Sequence, residues 1–80
     1  MMDGISEQQA AALRLAVSCI EDAARDGGEL GAPSGIVYAA LSTQGMRLES
    51  YQSILAAMER MGRIYVDGSH CIHLGAQDAA

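Results

Sequence analysis

Apolar side chains recur at helical spacing in three stretches of this 80-residue chain. The strongest repeat steps by three and four residues, which predicts an amphipathic helix that ends at Gly62. Its apolar members are Leu48, Tyr51, Ile54, Leu55, Met58 and Met61. The opposite face carries Glu49, Gln52, Ser53, Ala56, Arg60 and Arg63. The chain therefore offers one long polar helix face directly before its last segment.

The first helix is predicted from Ser6, a capping residue, to about Asp26, because Gly27 and Gly28 follow as helix-ending residues. Its main apolar stripe consists of Ala10, Leu13, Val17, Ile20 and Ala24. A second apolar flank consists of Ala12, Leu15 and Cys19. This flank packs either within the chain or against a second copy, so these three residues form a candidate dimer interface.

A second, mostly buried helix is predicted to begin at Pro33 and to end by Gln44, since proline suits a first helical position and Gly45 suits a C-cap. Its apolar residues are Ile36, Val37, Ala40 and Leu41. Residues 29–32 before it are a connector, with the option of a brief extra strand.

Apolar and polar side chains alternate in two short runs within residues 64–74, which predicts a β-hairpin. A two-residue loop at Asp67 and Gly68 would place the apolar residues of the two strands on opposite faces. A three-residue loop with Gly68 in the left-handed conformation restores a common face. That face consists of Ile64, Val66, Ile72 and Leu74, while Tyr65, Cys71 and His73 point outward.

The composition fits one domain over residues 1–80, structured at about 6–75 with a frayed tail at 76–80. The formal net charge is -5, with five arginines and no lysine, which is unusual for a protein that lies along phosphates. Cys19 and Cys71 lack C-x-x-C spacing, and the chain has no signal-peptide pattern or membrane-spanning run. We expect free thiols, a cytoplasmic location and no membrane partner.

Catalytic and metal motifs are weak. The glycine-rich residues 27–31 follow a helix rather than a strand, so they form a linker and not a dinucleotide site. Cys71 and His73 share a strand face near His70, but zinc needs four-coordinate closure. We therefore expect no enzyme activity, no cofactor and no metal.

The segment GIVYAALSTQGMRLESYQSILAAMERMGRIYVDG resembles the winged helix-turn-helix superfamily, above all where Gly62, Arg63 and Ile64 lead from the helix into the hairpin. The resemblance implies an α+β, mainly α fold of three helices followed by a two-stranded wing. It also implies a DNA-binding transcriptional regulator that acts as a homodimer. Two positions depart from the pattern: Arg47 stands where a capping Ser or Thr is common, and Asp67 puts an acid at the wing tip.

On that resemblance, Gln52 and Ser53 would face base edges, Arg47 and Arg60 would contact phosphates, and Arg63 would lie at the wing base. The alternative is a protein-interaction module that uses the third helix or the Tyr65, Cys71 and His73 strand face. The acidic, lysine-free composition favours this alternative. An ordinary solvated helix face is the third reading of the same residues.

Overall fold

The computed structural model describes residues 7–75. Three helices are α1 (Glu7–Asp26), α2 (Ser34–Ser42) and α3 (Leu48–Arg60), and three strands are β1 (Ala32–Pro33), β2 (Ile64–Val66) and β3 (Cys71–Leu74). A short 3-10 turn, Gly28–Leu30, links α1 to β1. The predicted mainly α, α+β class with a terminal hairpin is confirmed. The predicted cap at Ser6 and the predicted frayed tail lie outside the described residues.

The sheet has three antiparallel strands in the order β1-β3-β2, where a two-stranded hairpin was predicted. Ala32 pairs with Ile72, and Pro33 pairs with Cys71, so the connector before α2 does form the brief extra strand. Proline is tolerated there because β1 lies at the sheet edge, where a missing N–H is not needed. The backbone N–H of Ser34 then donates to the His70 carbonyl, which ties the start of α2 to the hairpin turn.

In the hairpin, Ile64 lies opposite Leu74 and Val66 lies opposite Ile72. The Asp67 N–H donates to the Cys71 carbonyl, so the loop has the predicted three residues, but they are residues 68–70. Ile64 and Ile72 are buried against the helices, whereas the outward Tyr65 is half exposed. A single apolar face is thereby confirmed for the hairpin.

The left-handed residue of the loop is His70, with a φ of 64°, and not Gly68 as predicted. The His70 N–H donates to the Asp67 carbonyl, which closes a turn over residues 67–70. In a three-residue loop of this kind the left-handed position follows the turn and precedes the second strand. Glycine adopts the left-handed conformation most readily, but Gly68 lies too early in the loop to occupy the left-handed position.

The core lies between the C-terminal half of α1, the inner faces of α2 and α3, and the sheet. Its buried members are Ala16, Ile20, Ala24, Ala32, Val37, Leu41, Tyr51, Met58, Ile64 and Ile72. Helix α3 ends at Arg60, two residues before the predicted end at Gly62, which has a φ of 77°. Helix α2 begins at Ser34, one residue after the predicted start at Pro33, and its end at Ser42 agrees with the predicted end by Gln44. The prediction that α2 is mostly buried was wrong, because Ile36 and Ala40 are exposed.

The first half of α1 extends beyond this core. No residue among positions 7–15 is buried, and Leu13, predicted to belong to the buried stripe, is exposed. The buried stripe is instead Ala16, Ile20 and Ala24, because the sheet and α2 cover only the second half of the helix. Within residues 7–75, no helix has the length and apolar character to cross a bilayer.

Candidate binding surface of α3 and the hairpin

The polar face of α3 is exposed. Its exposed members include Glu49, Gln52, Ser53, Ala56 and Arg60. Arg47 precedes the helix in an extended conformation, and its side chain makes no capping hydrogen bond. Its guanidinium group is mostly in solvent, 3.7 Å from the Glu49 carboxylate. Four of the five candidate DNA-binding residues, namely Arg47, Gln52, Ser53 and Arg60, therefore share one accessible region around α3.

Arg63, the fifth candidate, is directed towards α1. Its Nε donates to Glu21 Oε2 at 2.6 Å, and the side chains of Arg63 and Glu21 are 43% and 15% exposed. Both residues border a surface depression formed with Leu13 and Val17 of α1. The structure therefore gives Arg63 an ion-pair partner that links the base of the hairpin to α1, on a different side from the groove described next.

A groove of about 350 Å³ lies between the start of α2, one flank of α3 and the hairpin turn. Its apolar lining comes from Tyr38, Leu48, Tyr51, Leu55, Ala56 and Val66, and its polar lining includes Ser34, Gln52, Glu59 and His70. The groove brings Gln52 of α3 to the same depression as His70 of the hairpin. Sequence reasoning did not identify this groove, because its walls come from three separate elements.

Tyr51 fixes α2 against α3 at the base of the groove. Its hydroxyl donates to the Ser34 carbonyl at 3.0 Å and shares a second hydrogen bond with Ser34 Oγ at 2.9 Å. The ring is only 2% exposed and lies 5.2 Å from the ring of Tyr38. Burial raises the pKa of the Tyr51 phenol, and the hydrogen bond with Ser34 partly offsets the rise.

Asp67 is bound within the hairpin rather than presented as a free acid at its tip. Its Oδ1 accepts the backbone N–H groups of Ser69 and Cys71 at 2.8 and 3.1 Å, and its Oδ2 lies 2.7 Å from His73 Nε2. The hydrogen bond with His73, followed by the two backbone bonds, lowers the pKa of Asp67. Aspartate side chains commonly stabilise turns by accepting backbone N–H groups in this way. An Asp directly before Gly68 in the sequence is therefore a signal for this role.

The outward strand face carries a ring pair. Tyr65 stacks on His73 with ring centroids 4.7 Å apart and an interplanar angle of 11°. Cys71 and Cys19 are both free thiols. Among residues 7–75, no three His, Cys, Asp or Glu side chains come together in a group that could hold a metal ion.

The three candidate dimer residues do not share one environment. Ala12 and Leu15 are exposed on the first half of α1, and Leu15 is 61% exposed. Cys19 is partly buried and packs against the core of its own chain. The second apolar flank of α1 is therefore divided between an external half and an internal half.

Comparisons of this chain with protein-family models, with curated proteins and with solved structures found no match.

Proposed function

We propose that this protein is a winged-helix DNA-binding protein that regulates transcription as a homodimer, with α3 placed in the major groove. The observation that carries the proposal is the sheet order β1-β3-β2 together with the hydrogen bond from Ser34 N–H to the His70 carbonyl. These contacts hold the start of α2 beside the hairpin turn, and the hydrogen bonds between Tyr51 and Ser34 hold α3 beside α2. Winged-helix proteins present a recognition helix and a wing in this arrangement, so the argument to function is by analogy of fold.

Each exposed residue of the surface has a role in this proposal. Arg47 and Arg60 contact phosphates, and Gln52 reads an adenine edge through its amide, with Ser53 beside it. Engagement of Asp67 by His73 and two backbone N–H groups supports the proposal, since that carboxylate is not directed freely at DNA.

The affinity expected for a single copy is low. Two arginines that contact phosphates give a slope of about -2 for the logarithm of the binding constant against the logarithm of the salt concentration. The acids Glu49 and Glu59 lie on or beside the same helix face and oppose the arginines. We therefore expect weak binding at low salt that falls about 15-fold further between 50 and 200 mM salt, and a need for two copies on one site.

The test is an NMR titration of the whole chain with mixed-sequence duplex DNA at low salt. We expect the amides of α3 and of the hairpin turn to shift. Arg60→Ala should weaken binding and reduce the salt slope by about 1, and the double variant with Arg47→Ala should reduce it by about 2. Arg25→Ala is the matched control, because Arg25 is an exposed arginine at the far end of α1, paired with Asp22. Equal effects of Arg60→Ala and Arg25→Ala would contradict the assigned surface.

A second candidate is a protein-interaction module that uses the groove beside α3. The apolar lining of that groove favours it, because such a surface suits a partner side chain better than a phosphate backbone. The net charge of -5 points the same way. If no amide of α3 or of the hairpin moves with DNA at low salt, the DNA proposal is lost and this candidate replaces it.

A further inference from the structure

The outer face of the hairpin carries an exposed aromatic ring that a fixed neighbour supports on one side. Tyr65 stacks on His73 with ring centroids 4.7 Å apart, and Tyr65 is 52% exposed. His73 Nε2 lies 2.7 Å from the Asp67 carboxylate, and a Cβ added to Gly31 would come within 2.8 Å of the same nitrogen. The imidazole is therefore confined between Gly31 and Tyr65. Because β2 is the outermost strand, the other face of the Tyr65 ring is directed to the edge of the sheet.

The sheet edge beside this ring is free to pair. Among residues 7–75, no strand pairs with the outer side of β2. The Arg63 carbonyl accepts the N–H of Gly75, and the Asp67 N–H also donates to β3. Backbone groups along an antiparallel strand alternate in direction, so those of Ile64 and Val66 point to the free edge. An extended segment can therefore add there as a fourth strand.

The charge around the ring selects a cationic partner. The ring pair adjoins a depression of about 530 Å³ that Arg25, Gly28 and Glu29 also line, at the C-terminal end of α1. Residues 22–29 carry three acids and one arginine, and that arginine pairs with Asp22 at 2.8 Å. The C-terminal end of a helix adds partial negative charge. A cation is therefore favoured here, whereas DNA and a second copy of this chain, with its net charge of -5, are disfavoured.

We propose that an extended, arginine-containing segment of another protein docks on this face, where it adds to β2 as a fourth strand and stacks an arginine on Tyr65. In an antiparallel addition the partner residue beside Tyr65 lies in a non-hydrogen-bonded pair, in which facing side chains come closest. The planar guanidinium group stacks on an aromatic face better than the ammonium group of lysine does. A cation on an exposed ring binds weakly by itself, so the backbone hydrogen bonds of the added strand supply the remaining affinity.

The docking face is separate from the surface assigned to DNA. The outer face of the sheet is directed away from the helices, since Ile64 and Ile72 on the inner face are buried against them. The four exposed residues assigned to DNA belong to α3 and to the position before it, and none of them lines the depression beside the ring. The inference is therefore independent of the proposed DNA binding, and each can fail alone.

The test is an NMR titration of the whole chain with a short peptide of alternating arginine and threonine, which places every arginine on one face when extended. Peptides with lysine or glutamate in place of arginine are the ligand controls. We expect the amides of β2 to shift with the arginine peptide, less with the lysine peptide and not with the glutamate peptide. The Ile64 and Val66 amides should also gain protection from hydrogen exchange, because they bond to the added strand. The Tyr65 amide, which points to β3, should change little.

Tyr65→Leu separates the contribution of the ring from that of the strand. The dissociation constant of the arginine peptide should rise about 2- to 5-fold, which is the effect of losing a cation contact on an exposed ring. The preference for arginine over lysine should disappear. Ile36→Ala is the matched control, because Ile36 is a 68% exposed apolar residue on α2 outside the depression. Circular dichroism should show both variants folded, as neither residue belongs to the core.

Several results would overturn the inference. One is the absence of any shift in β2 with the arginine peptide, and another is equal binding of the arginine and glutamate peptides. Binding that leaves the Ile64 and Val66 amides unprotected, or equal losses in Tyr65→Leu and Ile36→Ala, would do the same. Protection of these two amides on raising the chain concentration without peptide would assign the edge to a second copy instead. Duplex DNA that shifts no amide of α3 removes the proposed function and leaves the docking face intact.

Discussion

Removing the hydroxyl of Tyr51 tests whether the α2–α3 junction is held as the structure describes. In Tyr51→Phe the buried ring keeps its contacts, and only the two hydrogen bonds with Ser34 are lost. The Ser34 carbonyl loses the bond from the Tyr51 hydroxyl, and Ser34 Oγ loses its bond with the same hydroxyl. The substitution therefore isolates the polar contribution of a residue whose ring belongs to the core.

The expected cost follows from the number of bonds and from their burial. A hydrogen bond contributes about 0.5 to 1.5 kcal/mol net, so two give about 1 to 3 kcal/mol. Ser34 is only partly buried, so water can replace Tyr51 at its carbonyl and hydroxyl. We therefore expect a loss of about 1 to 2 kcal/mol in the free energy of unfolding, or about 5 to 15 °C in Tm for a domain of this size.

Chemical and thermal unfolding of Tyr51→Phe and Tyr38→Phe provide the assay. Tyr38 is the matched control: it packs beside Tyr51, and the structure shows no hydrogen bond for its hydroxyl within residues 7–75. Equal stability of the two variants would refute the reasoning.

The pH dependence supplies a second readout of the same substitution. Because burial raises the pKa of Tyr51 above 10.0, its contribution to stability is complete below that pH and is lost as pH rises through the pKa of the folded state. The stability difference between wild type and Tyr51→Phe should therefore shrink in strong alkali.

Two further predictions concern the hairpin turn. The pKa of the Asp67 carboxyl should lie below 3.8 in an NMR titration, so its contribution to stability is present above that pH and is lost as pH falls through the folded-state pKa. His73→Ala should return this pKa towards its ordinary value, because the hydrogen bond with His73 is the largest cause of the shift. An unchanged titration midpoint in His73→Ala would contradict the assigned hydrogen bond. Gly68→Ala should not destabilise the fold, because Gly68 is not left-handed and an added Cβ contacts no other atom. His70→Gly should stabilise the fold by about 0.5 to 1 kcal/mol in denaturant unfolding, because His70 is left-handed and glycine adopts that conformation without strain. A large loss in Gly68→Ala would instead support the loop that the sequence predicts.

The sequence predicts those features of the fold that depend on neighbouring residues. The end of α1, the end of α3 to within two residues and the shared apolar face of the hairpin follow from apolar spacing and from glycine positions. The shared face is the most informative of these, because a shift of one residue in the pairing would expose Ile72, which is fully buried.

Strand β1 and the position of the core along α1 are not local features. Two residues, Ala32 and Pro33, show no periodicity, and they become a strand only because β3 supplies the hydrogen-bonding partner. The apolar stripe of α1 likewise gives the direction of the buried face but not how far the other elements extend along it. Leu13 is therefore exposed although its spacing matches that of Ile20.

The charge of the candidate site also depends on contacts between residues that are far apart in the sequence. A sequence can count charged residues but cannot pair those that are far apart, such as Glu21 and Arg63. With Arg63 paired to α1 and Asp67 bound by His73, the surface around α3 keeps two exposed arginines beside two glutamates, so its local charge is close to zero. A nearly neutral helix face gains little non-specific attraction to DNA. Under the proposed function, useful affinity would therefore depend on base contacts, for which Gln52 is the candidate, and on two copies that bind one site.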